Sequence, residues 1–310
     1  MIEQTPAPSP VPEALARRIR ERIAAGRGQG EGPSYLPWLT VQGSRSLGQS
    51  GRVPCWTTGR VHHVLSQNWE RRYLLLLNWS PSVTDIREQY PLLPLEETLG
   101  IAARARFRHP SHKGEPVVMT TDFVATIGRG ASQTLRARCV KPEKGLDDPR
   151  TIEKLEIERR YWQRRGVDWG IVTEHELPAV VAANIDWFHS RFYYPRETDL
   201  GAGAIDAAAR ALTDRVQRGA GTLAACGLAV DEDLRLEPGS GLAVARFLLA
   251  TRQWEVDLSL PLNPRVPLSL ARAALLPTVL PPLPVLPPEL RGEGSPLDRG
   301  GVPEELAAAG

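Results

Sequence analysis

Residues 117–127 read Val-Val-Met-Thr-Thr-Asp-Phe-Val-Ala-Thr-Ile, and residues 134–142 read Thr-Leu-Arg-Ala-Arg-Cys-Val-Lys-Pro. The first stretch is dense in β-branched residues, which favour a pleated strand. The second alternates in part and is closed by Pro142, which has no N–H to give to a ladder. The two predict a hairpin with Asp122 inside one strand and Lys141 at the end of the other. Upstream, residues 83–93 carry Ile86, Tyr90 and Leu92 and predict a further strand. Residues 60–78 predict a helix, because Trp69, Tyr73, Leu76 and Leu77 fall on one face. Downstream, Asp147 or Asp148 is placed to cap a helix that has Pro149 in its first turn and ends near Arg165, before Gly166. Trp169-Gly-Ile-Val-Thr predicts a buried strand, and residues 178–190 another helix. Helix, three strands, helix, strand, helix is a mixed α/β layer arrangement.

The 310 residues allow about two domains. Hydrophobic residues at 42% and charged residues at 24% exclude a wholly disordered chain. The net charge of +2 decides nothing about nucleic acid, since a basic patch can sit on a nearly neutral protein. No run approaches 18 apolar residues, so no membrane-spanning helix or membrane partner is expected. The N-terminus lacks the basic-then-apolar pattern of a secretory signal. Cys55, Cys139 and Cys226 are odd in number and far apart, which predicts free thiols in a reducing compartment. No histidine pairs with them at zinc spacing.

Around this centre, residues 5–12 predict a Pro-rich leader and residues 13–25 a short basic helix. The glycine run 26–32 predicts a flexible connection, because it lacks the Lys-Ser/Thr of a phosphate loop. Residues 1–195 are read as a first domain. Residues 196–275 then predict a small domain of Ala-rich helices at 201–218, 221–229 and 239–252 with a strand from Trp254, one option being a winged-helix-like module. Residues 276–310 predict an extended Pro-rich tail, in which Leu280, Leu283 and Leu286 suit a docking peptide.

Three ionisable residues stand apart by position: Glu70 beside the apolar stripe of the 60–78 helix, Asp122 and Lys141. Carboxylates that hold Mg²⁺, with a lysine that orients water and offsets phosphate charge, are what phosphodiester hydrolysis requires. A strand-edge Asp and a solvated Lys before Pro give the same pattern, and spacing alone leaves both readings open. On the 149–165 helix, Glu158 falls on the core-facing stripe, either near the site, paired with an arginine, or on a helix edge by chance. Glu156 can pair with Arg160 four residues on.

Several motifs carry a family resemblance. They are Tyr35-Leu-Pro-Trp-Leu-Thr-Val, Thr58-Gly-Arg-Val-His-His, Asp85-Ile-Arg-Glu-Gln-Tyr-Pro-Leu-Leu-Pro, Met119-Thr-Thr-Asp-Phe, Val140-Lys-Pro, Glu153-Lys-Leu-Glu-Ile-Glu-Arg-Arg-Tyr-Trp and Asn184-Ile-Asp-Trp. In this order, over about residues 17–190, they resemble the TnsA endonucleases of heteromeric cut-and-paste bacterial transposases. The resemblance implies a restriction-endonuclease-like mixed sheet flanked by helices, in a bacterial, cytoplasmic, DNA-associated protein. It implies Mg²⁺-dependent cutting at the 5′ ends of a transposon, with Mn²⁺ as a substitute. The implied partners are double-stranded transposon-end DNA, a TnsB-like RNase-H-like transposase that cuts and joins the 3′ ends, and a TnsC-like ATP-binding regulator. It assigns the catalytic carboxylates to Glu70 and Asp122 and the catalytic lysine to Lys141. The metal would lie on Glu70, Asp122 and the backbone carbonyl of Val140. The family position two before the lysine is typically Gln; here it is Cys139, and a soft thiol is a poor Mg²⁺ ligand.

For DNA contact, Arg104, Arg106, Arg108, His109, His112 and Lys113 cluster before the Asp122 strand, and Arg136 and Arg138 lie on the next. Such groups suit phosphates, as they also suit a solvated basic loop. The tryptophans fall within helix and strand patterns and are read as core. Two rival functions remain: a stand-alone restriction-like or repair nuclease, and a non-enzymatic assembly factor. Cys139 favours the second, whereas intact Glu70, Asp122 and Lys141 oppose it.

Overall fold

The computed structural model describes residues 11–42 and 50–286. Two compact units, Met1–Pro178 and Ala179–Gly310, make up the chain.

In the first unit, α1 (Glu13–Ala24) precedes a hairpin of β1 (Gly51–Cys55) and β2 (Arg60–Val64). Then come α2 (Glu70–Trp79), β3 (Val83–Pro91), α3 (Leu95–Ala105) and a small hairpin of β4 (Ser111–His112) and β5 (Glu115–Pro116). The chain continues through β6 (Thr120–Ile127), β7 (Thr134–Val140), α4 (Pro149–Gln163) and β8 (Asp168–Val172). The main sheet has the order β3-β6-β7-β8; its first two pairings are antiparallel, and β7–β8 is parallel with α4 as the crossover.

Side-chain alternation puts a separate core on each face of this sheet. Ile86, Phe123, Ala125 and Val140 meet Leu74 and Leu77 of α2 and Val53, Cys55 and Val64 of the hairpin. Val124 and Ala137 meet Ile101 and Ala102 of α3 and Ile157, Tyr161 and Trp162 of α4. The cap of α4 is as read: the Asp148 side chain accepts from the N–H groups of Arg150 and Thr151.

The expected helix over 60–78 is corrected. Residues 60–64 are β2, and the helix begins at Glu70. Gly59, at φ 67°, makes the turn into β2, whose Val61 and Val64 suit a strand. The fully buried Glu88 of β3 then fixes β2 in place. It accepts from Arg60 Nη1 at 2.8 Å and from the His63 N–H at 3.1 Å, and lies 2.9 Å from His62 Nδ1. The glycine run is bonded rather than flexible. The Gly28 N–H donates to Leu36 O at 2.6 Å, and a Cβ on Gly28 would stand 2.3 Å from Pro91 Cγ. The strand at 168–172 is half-buried rather than buried.

In the second unit, α5 (Ala179–His189) leads through a short helix α6 (Tyr194–Glu197) to α7 (Ala202–Gln217), α8 (Leu223–Leu234) and α9 (Ser240–Ala250). The expected strand after residue 253 shrinks to β9 (Trp254–Glu255), paired with β10 (Arg272–Ala273). The second compact unit begins with α5. Asn184 of α5 supplies both amide functions to the 258–262 backbone: Nδ2 donates to Leu258 O and Leu260 O, and Oδ1 accepts from the Leu262 N–H. Residues 276–286 run extended and are tied down, with the Leu276 N–H on Gln253 Oε1 and the Thr278 N–H on Asp206 Oδ1, both at 2.8 Å. Residues 5–10 of the expected leader and 287–310 of the expected tail lie outside the described residues. Among the described residues, no helix is long and apolar enough to cross a membrane.

Candidate active site

Asp122 of β6 gathers the end of β7 around one carboxylate oxygen. Its Oδ2 accepts from the Val140 N–H at 2.8 Å, from the Lys141 ammonium at 2.9 Å and from the Cys139 thiol at 3.3 Å. The ammonium also donates to the Val140 carbonyl at 3.1 Å. The β6–β7 pairing produces this by placing Phe123 opposite Arg138, which leaves Asp122 facing the last residues of β7. Pro142 then ends the strand, so Lys141 leaves the ladder beside the carboxylate.

Glu70 reaches the same place from α2. It is the first residue of that helix, and its Oε2 accepts from the Leu65 N–H at 2.8 Å. Burial, followed by the negative charge of Asp122, pushes its carboxyl up to about 8; the Leu65 bond and Lys141 oppose this. Burial acts against the Lys141 ammonium, but the charge and hydrogen bond of Asp122 outweigh it and raise its pKa, so the lysine is a fixed cation. Burial, with Asp122 and Glu158, pushes the Cys139 thiol well up, so this sulfur is a neutral S–H donor and not a thiolate ligand.

Glu158 is fully buried on α4, on the stripe that its spacing indicated, and is not paired with an arginine. Its Oε1 accepts from Thr121 Oγ1 at 2.7 Å and Trp169 Nε1 at 3.0 Å, and Thr121 Oγ1 in turn accepts from Trp162 Nε1 at 2.7 Å. Burial and the Asp122 charge raise its carboxyl to about 7. Thr121, Trp162 and Trp169, which the sequence pattern assigns only to strand or core, thus form the hydrogen-bonded surroundings of Glu158. Glu156 pairs with Arg160 as expected, at 2.7 Å, and also with Arg159.

The expected DNA-contacting residues are dispersed over several elements. Arg104 is exposed on α3, Arg106 ends that helix in a left-handed conformation, and Arg108 is exposed beyond it. His112 and Lys113 are exposed on the β4–β5 hairpin. His109 differs: half-buried, its ring bonds internally to Pro110 O and Thr98 Oγ1, each at 2.9 Å, and burial lowers its pKa. Arg136 and Arg138 share Asp168, at 3.5 and 2.7 Å, so part of their charge is already balanced.

A mixed sheet between helices, with an aspartate in one strand and a lysine closing the next, is the arrangement of the restriction-endonuclease-like fold. A family model described as TnsA-like endonuclease N terminal matches residues 80–174, and one described as TnsA endonuclease C terminal matches residues 176–258. The Escherichia coli protein "Transposon Tn7 transposition protein TnsA" is 48% identical over 176 residues, which is 57% of this chain and 62% of that protein. The chain thus spans about three-fifths of that relative's length. It belongs to the TnsA endonuclease family. Asp122, Lys141 and Glu158 fall inside the first matched segment, and Glu70 lies ahead of it.

Proposed function

We propose that this chain is the endonuclease subunit of a heteromeric DNA transposase, hydrolysing phosphodiester bonds at the 5′ ends of a transposon with Mg²⁺. The observation that carries the reading is the convergence of Val140, Cys139 and Lys141 on Asp122 Oδ2, with Glu70 close enough for Asp122 to raise its pKa. The relative's name ties that protein to Tn7 transposition and supports placing this chain in such a system.

The donor chemistry fits a hard cation. Two carboxylates and a backbone carbonyl are oxygen donors, and the rise of Glu70, caused first by burial and then by the Asp122 charge, is one that a nearby cation opposes. Among the described residues no group of three or more His, Cys, Asp or Glu forms a ready cage. Mg²⁺ binds through one or two carboxylates and keeps waters or phosphate oxygens in its remaining positions. Asp122, Glu70 and the Val140 carbonyl would hold it, and Mg²⁺ bound there supplies Lewis-acid charge for phosphate oxygens. Lys141 orients the attacking water and offsets charge that builds on the phosphate. Glu70, near 8, holds or releases a proton close to neutral pH. Cys139 contributes only its S–H to Asp122.

The partners in this reading are double-stranded transposon-end DNA, a TnsB-like transposase that acts on the 3′ ends and a TnsC-like ATP-binding regulator. The bacterial cytoplasm is the compartment. The test is 5′-strand cleavage by purified protein in Mg²⁺, with and without the transposase partner. Wild type should depend on the partner, and folded Asp122→Ala should not cut. Cleavage by Asp122→Ala at the wild-type rate would refute the reading, and full activity without a partner would favour a stand-alone nuclease.

A further inference from the structure

Within β3, Gln89 adopts φ 48°, the left-handed region. The other non-glycine residues with positive φ among those described, Arg106, Lys113, Arg235 and Arg252, stand at helix ends or in turns; Gln89 alone lies inside a strand. Its place in the ladder is specific. Glu88 pairs with Phe123 and Tyr90 with Thr121, so Gln89 stands between these rungs together with Asp122.

Both strands change face at this rung. Residues two apart on a regular strand share a face. On β6, however, the Phe123 ring packs edge-on against Tyr73 of α2, whereas the Thr121 hydroxyl sits between Glu158 and Trp162 of α4. On β3, Glu88 meets Arg60 and His62 of the β1–β2 hairpin, whereas the Tyr90 ring lies 5.5 Å from that of Trp162. One left-handed residue lets β3 follow the switch that β6 makes at Asp122, so pairing resumes on the far side.

Gln89 is held in this conformation from several directions. It is 2% exposed, its carbonyl accepts from the Trp38 N–H at 3.2 Å, and its Oε1 accepts from Thr120 Oγ1 at 3.0 Å. Its buried Nε2 has no hydrogen-bond partner. A side chain in the left-handed region is disfavoured where glycine is not, and such strain persists where surroundings over-determine it, often at functional sites.

We infer that Gln89 is a positioning residue of the nuclease site. Its left-handed backbone turns the β3–β6 ladder so that the Asp122 carboxylate leaves it toward Val140, Lys141 and Cys139. The inference rests on the reading of Asp122 as a metal-holding carboxylate.

The test is a series at this position, Gln89→Gly, Gln89→Asn, Gln89→Ala and Gln89→Val, in the full chain. Binding of Mn²⁺ alone is followed by electron paramagnetic resonance, with thermal unfolding in parallel. Glycine and asparagine accept the left-handed region, so those two variants should keep Mn²⁺ affinity close to wild type. Gln89→Ala and Gln89→Val should lose about ten- to hundredfold, the scale seen when residues supporting a ligand are replaced. A role of the amide, or of burial alone, gives a different order, with Gln89→Gly as weak as Gln89→Val. That order, or an unchanged affinity in Gln89→Val, overturns the inference. Should Gln89→Val fail to fold, the Gly and Ala variants decide: equal affinities overturn it. Asp122→Ala separates the two ideas. Loss of Mn²⁺ there with a flat series at 89 removes only the inference, and Mn²⁺ binding unaffected by Asp122→Ala removes the inference and the reading beneath it.

Discussion

Replacing Glu158 with glutamine should stabilise the protein at neutral pH. Glu158 is fully buried, and its carboxyl is raised from 4.5 to about 7 by burial and by the Asp122 charge. The sign follows from proton linkage. Between pH 4.5 and about 7 the folded protein keeps a proton there that the unfolded chain has lost. Stability therefore falls as pH rises through this window, by up to about 1.4 kcal/mol per pH unit. Across the window, the cost of burying the charge reaches about 3 kcal/mol, present in full above pH 7 and absent below 4.5. Glutamine carries no charge, and its Oε1 can still accept from Thr121 and Trp169. Glu158→Gln should match wild type near pH 4.5 and exceed it by about 3 kcal/mol at pH 8, a large share of a typical domain's stability. Urea unfolding followed by tryptophan fluorescence, from pH 4.5 to 8.5, measures this. Curves that stay parallel across the range would show that the Glu158 charge is compensated inside the fold, and a variant weaker than wild type at pH 8 would show that the carboxylate is needed for packing.

Cys139→Ser should cut DNA within about tenfold of wild type, about 1.4 kcal/mol in barrier, because serine still offers Asp122 a donor; a thousandfold loss in a folded variant would expose a direct role for the thiol. On the function proposed above, Lys141→Ala should turn simple insertions into cointegrates, since a 3′-end-joining partner would act while the 5′ strands stay uncut; sequenced transposition products from cells decide this. Glu88→Gln should destabilise the first unit by about 3–5 kcal/mol by leaving the buried Arg60 guanidinium without its counter-charge, read as a lower urea midpoint.

The parts of this site that were legible in the sequence are those set by local pattern. The β-branched run around Asp122, Pro142 after Lys141 and the Asp148–Pro149 cap each act within a few residues, and the structure has them where they were read. Residues 60–64 carry a helical period yet form a strand, because their state depends on a contact 25 residues away: Glu88 holds the His63 N–H, a partner that periodicity cannot contain. His109 reads as a basic DNA-facing residue beside Arg108, yet its ring is used by Thr98, a residue of a helix, α3, that the sequence reading did not propose.

The same distinction explains why the carboxylates were legible as residues but not as a set of charges. Spacing on α4 indicates that Glu158 faces inward. It does not indicate that Asp122 raises both Glu158 and Glu70 from opposite sides of one sheet. That coupling arises only when β6 lies between α2 and α4, so that one aspartate is felt by a carboxyl on each flanking helix. With Glu70 near 8 and Glu158 near 7, either group changes protonation within about a pH unit of neutrality, and Lys141 stays charged throughout. Burial is the larger cause of both shifts and Asp122 the second, so a cation arriving at Asp122 would weaken the second cause at both carboxyls. Metal binding at this sheet end should therefore be linked to proton release from two helices at once, a property of the assembled layers that no single motif contains.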